Sequence, residues 1–127
     1  MLSEDSANAK LEAFFRGQPL SRQIFDALRG LIDELGPAEV AVTKSQVAFR
    51  RARAFAWAWM PGQYLRGRRV APLVLSLALP QRDPSPRWKQ VVEPRPGRFM
   101  HHLELYAATD LDGEVRAWLG EAWALAG

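Results

Sequence analysis

The chain has two histidines, His101 and His102, and they are adjacent. Neighbours on a strand point to opposite faces, so the pair cannot bind one metal ion in the usual way. There is no cysteine and no carboxylate pair beside them, so no metal centre and no cofactor are expected. His102 and Glu104 are two residues apart and would share a strand face, where a carboxylate either orients an imidazole for acid–base work or simply hydrogen-bonds to it. Ser45 and Ser76 lie in no nucleophile motif, and neither a phosphate-cradling glycine loop nor a dinucleotide fingerprint occurs. Lys44, beside Ser45 in an expected turn, is placed to meet an anion or to stand in solvent. These residues specify no reaction, and the chain leans towards binding rather than catalysis.

A second group of residues suggests recognition. From Val47 to Arg69 the chain reads VAFRRARAFAWAWMPGQYLRGRR, with Phe55, Trp57 and Trp59 alternating with alanines and arginines at both ends. Arginines with exposed rings make platforms for single-stranded nucleic acid. Charge is also segregated. Residues 1–43 hold 4 basic and 7 acidic side chains, residues 44–98 hold 12 and 2, and residues 99–127 hold 1 and 5, giving −3, +10 and −4. Either the acidic helices neutralise a basic sheet internally, or the middle third faces an anion.

The elements that must position these groups follow from periodicity. At 127 residues, 48% hydrophobic and 24% charged, the composition is that of one globular domain with a real core. The start, LSEDS, is acidic, and no apolar run approaches the roughly 20 residues of a membrane helix, so a cytoplasmic location is expected. AKLEAFFRG predicts a short helical arm within 1–19, ahead of a core over 20–125. PLSRQIFDALRGLIDELGP predicts a helix capped by Ser21 and stopped at Gly36-Pro37. The period then changes to two, predicting strands over 39–43, 46–51, 54–60, 71–79 and 98–106. The proline-rich 80–98 reads as a long ordered loop, and Asp110 as the N-cap of a last helix. The expected fold is α+β: a mostly antiparallel five-stranded sheet with two N-terminal helices and one C-terminal helix packed on one face.

Strict alternation puts Val40, Val42, Val47, Phe49, Phe55, Trp57, Trp59, Leu73, Leu75, Leu77, Leu79, Leu103 and Leu105 under the helices. The other face would carry Ala48, Arg50, Ala56, Ala58, Ser76, His102 and Glu104, mostly small residues. Such a face leaves room for the proline-rich loop with Trp88, for a second copy of the chain in a homodimer, or for a ligand. Burial is the cheaper account of Phe55, Trp57 and Trp59. That leaves Tyr64 and Trp88, in basic loops, as the candidates for exposed stacking.

Thr43-Lys44, Val47-Ala48-Phe49-Arg50, Phe55–Trp59, Leu73–Leu79 and Met100–Leu105, followed by a closing helix, resemble a bacterial family catalogued as domain of unknown function 5655. The resemblance covers about residues 20–125 and implies no established activity. The 80–98 segment is longer than that family's pattern.

The sequence thus points to a non-catalytic module that binds a small anionic ligand or a protein partner along the small-residue face. Lys44, Arg50, Ser76, His102 and Glu104 would supply charge and hydrogen bonds, with Glu104 orienting His102. The alternative is a nucleic-acid-associated accessory domain using Arg51, Arg53, Arg66, Arg68 and Arg69.

Overall fold

Prolines and glycines follow the second helix at Gly36-Pro37 and the third, fourth and fifth strands at Pro61-Gly62, Pro80 and Pro96-Gly97. The structure, a computed structural model, describes residues 2–63 and 69–127, the first four of them by backbone alone. Helix α1 spans Leu2–Phe14 and α2 spans Pro19–Leu35, with proline in the first turn of α2, where its missing N–H costs nothing. Gly36 closes α2 by donating its N–H to Ile32 O at 3.3 Å. Ser21 is not the N-cap. It lies inside α2, and its hydroxyl donates to Pro72 O at 2.7 Å, tying the helix to the chain entering the fourth strand. Ile24, Phe25, Leu28 and Ile32 form the buried stripe of α2, while Leu11 and Phe15 bring the N-terminal arm into the same core.

The strands are β1 (Glu39–Val42), β2 (Val47–Arg50), β3 (Ala54–Trp59), β4 (Leu73–Leu79), β5 (Gln90–Arg95) and β6 (Arg98–Leu105). They form one antiparallel sheet in the order β1-β2-β3-β4-β6-β5. Helix α3, Gly113–Leu125, follows, so the α+β class and the three helices are as expected, but the sheet has six strands rather than five. The extra strand is β5, inside the segment read as loop. It contains Pro94, which a strand tolerates at a sheet edge, where no ladder hydrogen bond is needed from that residue. Asp110 does not cap α3. Its carboxylate accepts from Tyr106 N and Ala107 N in a preceding turn, and Asp112 is the cap, accepting from Val115 N at 3.2 Å.

The assignment of faces also needs correction. Arg50 pairs with Ala54 and Phe49 with Ala56, so Phe55 is an extra residue, a β-bulge. Phe55 and Ala56 therefore both turn towards the helices, and the alternation beyond them is shifted by one. Ala56 and Ala58 are buried there in register with Phe49, Val47, Leu75 and Leu77. Trp57 and Trp59 fall on the opposite face, against the expectation from strict alternation. Small residues under the helices leave space for the Phe25–Phe49 ring stack, whose centroids are 5.7 Å apart.

Residues 80–89 do not cover the open face either. They are held on the helix side by Asp83, whose carboxylate accepts from Trp88 Nε1 at 3.0 Å, Trp118 Nε1 at 3.1 Å and Ser85 N at 3.0 Å. Asp83 N in turn donates to Nε2 of the buried His101 at 3.0 Å. Trp88 is therefore buried against Trp118, with ring centroids 4.2 Å apart, and is not an exposed stacking residue. Tyr64, Arg66 and Arg68 lie outside the described residues. No helix among the described residues is long and apolar enough to cross a membrane.

Candidate functional site

Register fixes what the open face presents. Across it run Ala48, Trp57, Ser76, His102 and Gln90 in one row, and Trp59, Val74 and Glu104 in the next. A shallow depression of about 300 Å3 lies between Ser45 and Gln46 of the β1–β2 turn and Trp57, Trp59, Met100 and His102, with Ser76 at its base. Trp59 Nε1 donates to Ser76 Oγ at 3.0 Å, and Ser76 Oγ is 2.7 Å from His102 Nδ1. Burial, and then the neighbouring His101, hold the His102 imidazole below its usual pKa, which favours the neutral ring.

Ser76 is thus the partner that orients His102. Glu104 turns away and pairs with Lys89 Nζ at 3.0 Å. Ser76 is buried and receives an indole N–H on its oxygen, an arrangement that holds rings in place rather than freeing a nucleophile. Among the described residues no group of three or more His, Asp or Glu side chains could hold a metal ion.

One end of this face is strongly basic. Arg50 ends β2 and Arg53 precedes β3, while Arg95 and Arg98 flank a tight turn at Pro96-Gly97. Gly97 has φ of 77°, as the third position of a proline–glycine type II turn requires. The turn sets Arg95 directly across from Arg98. All four arginines line one open groove of about 480 Å3 together with Ala54 and Pro94. None of them forms an ion pair among the described residues. Two carboxylates flank the groove: Glu39, opposite Arg50 in the β1–β2 register, and Glu93, which accepts from Gly97 N at 3.2 Å. Arg98 joins the groove to the depression, since its guanidinium stands 6.0 Å from the centroid of Trp57.

Ser76 and His102 therefore meet at the centre of the open face, with Arg50 at its basic end. Lys44 is exposed in the β1–β2 turn and does not line the depression, and Glu104 is engaged by Lys89. The five arginines of the nucleic-acid alternative do not form one surface. Arg51 packs 3.6 Å over the Trp123 ring and donates to Trp123 O at 2.8 Å, closing the C-terminal end of α3. Arg53 donates to Leu125 O at the same helix end and also lines the groove. Arg69 is exposed just before β4. Arg95 and Arg98 were not singled out from sequence, and Trp57 and Trp59 were noticed but assigned to the core. The Arg-Pro-Gly-Arg run was the available signal, because a two-residue turn makes its flanking residues cross-strand neighbours.

Fold and site together describe an α+β protein with helices on one sheet face and an arginine-bordered open face on the other. The family model Domain of unknown function (DUF5655) matches residues 11–126, and the chain belongs to that family. The match begins inside α1, so part of the N-terminal arm falls within the family's domain. Neither a curated protein nor a solved structure matches the chain.

Proposed function

We propose that the chain is a binding module for a phosphate-bearing anion, taken in the groove between Arg50, Arg53, Arg95 and Arg98. One observation carries this reading: four arginines from two separate turns line one groove, and none of them forms an ion pair among the described residues. Like charges held together destabilise the free protein, and an anion relieves that repulsion. Guanidinium forks also match phosphate oxygens in geometry. Some cations elsewhere are neutralised, as in the contacts of Arg87 Nη1 with Asp112 at 3.0 Å and Glu114 at 2.9 Å.

Isothermal titration of the full chain with inorganic tripolyphosphate, at about 50 mM and about 200 mM salt, tests the reading. Binding is expected at the lower salt and should weaken at the higher. It should be lost in the double variant Arg50→Glu/Arg95→Glu, whose melting temperature should stay near that of the parent because both side chains are exposed. Absence of binding to the parent chain, or undiminished binding to the double variant, would overturn it.

A further inference from the structure

We infer that the ligand carries a flat heteroaromatic ring as well as phosphate, the chemistry shared by a free nucleotide and a nucleotide within a single strand. The inference rests on the groove being an anion site and identifies what lies next to the anion. The bulge at Phe55 places Trp57 and Trp59 on the face that no helix among the described residues covers, each half-buried, with Met100 beside them. Half-exposed indoles on an uncovered sheet, next to cations, form a surface on which a ring can stack. Arg98 belongs to both regions. It lines the groove and stands 6.0 Å from the Trp57 centroid, so a phosphate held there lies within a side chain's reach of the ring surface.

The rim of the depression is polar where a heteroaromatic ring needs partners. Gln46 and Ser45 offer donors and acceptors, and His102, with Nδ1 at Ser76, lines the same depression. An anion without a ring would leave this surface unused.

The experiment compares three probes on the full chain by titration and polarisation: inorganic tripolyphosphate, thymidine triphosphate and a labelled oligothymidylate. Stacking should make thymidine triphosphate bind about tenfold tighter than tripolyphosphate. Trp57→Leu should remove that gain while leaving tripolyphosphate binding unchanged, and Trp57→Phe should restore most of it. Tighter binding of the oligothymidylate than of the triphosphate assigns the site to a strand, and the reverse assigns it to a free nucleotide. Equal binding of tripolyphosphate and both thymidine probes, unaltered in Trp57→Leu, would overturn the inference and leave the groove reading standing. If no probe binds, both fall.

Discussion

His101 shows how much one buried imidazole can fix. Its Nδ1 lies 3.2 Å from Phe99 O, which only accepts, so Nδ1 carries the proton. Its Nε2 accepts from Asp83 N at 3.0 Å, so there is no room for a second proton. Burial is the main reason its pKa lies below the usual histidine value, and the hydrogen bond with Phe99 O and then the charge of Asp83 offset this only in part. His102 is shifted in the same direction, by burial first and then by His101. A histidine whose pKa is lower folded than unfolded binds fewer protons in the folded state. Its contribution is therefore complete above the unfolded value near 6.5 and is lost as pH falls below it. The chain has no other histidine, so the melting temperature should drop between about pH 7 and pH 5 through these two residues. His101→Gln should flatten that drop more than His102→Gln, because only His101 must break a backbone hydrogen bond to take up its proton. A melting temperature that rises on acidification, followed by circular dichroism, would contradict the assignment. Asp83 acts in a different window. Desolvation raises its pKa, but hydrogen bonds from Ser85, Trp88 and Trp118 outweigh that and hold it below the ordinary aspartate value, so its contribution is lost at more acidic pH.

The element that decides the open face is β3, and its bulge makes a testable ordering of costs. Phe55 is fully enclosed, and truncating a buried phenylalanine typically costs about 3–5 kcal/mol. Trp57 lies half-exposed on the uncovered face, where Trp57→Ala should cost less than about 1.5 kcal/mol. Chemical denaturation of Phe55→Ala and Trp57→Ala should show that gap. Similar large losses for both would mean that β3 alternates without a bulge and buries all three rings. The order of helices and strands was legible in sequence because apolar spacing changes from 3.6 to 2 at Pro37, and the leucines of β4 alternate without interruption. The phase of β3 was not legible, since AFAWAW alternates perfectly in either phase and only the tertiary need for small residues beneath Phe25 and Phe49 selects one. Strand β5 was hidden by Pro94 and Pro96, which argue against a strand everywhere except at an edge or in a hairpin turn.

At the scale of the whole molecule, the basic middle third is partly neutralised and partly left open. Arg87 and Lys89 reach carboxylates of the acidic last third, and Arg51 and Arg53 close carbonyls at the C-terminal end of α3. Arg50, Arg95 and Arg98 make no ion pair among the described residues, and with Arg53 they line one groove. Internal neutralisation therefore accounts for some of these cations, and the anion-facing reading is the one proposed above for the groove arginines. Sequence could not sort them, because the sorting depends on which strands end together. Counterion release turns that sorting into a number: each phosphate contact contributes about 0.7 to the slope of log affinity against log salt for a single strand. Oligothymidylate binding should therefore have a slope near −3 if the four groove arginines carry it, and Arg95→Ala should reduce its magnitude by about 0.7. Lys44→Ala, in the exposed turn away from the groove, should leave the slope unchanged. Polarisation titrations at several salt concentrations measure all three slopes. A change with Lys44→Ala and none with Arg95→Ala would move the anion to the opposite end of the sheet, because the slope counts contacts made by cations at the site and is insensitive to the rest of the net charge.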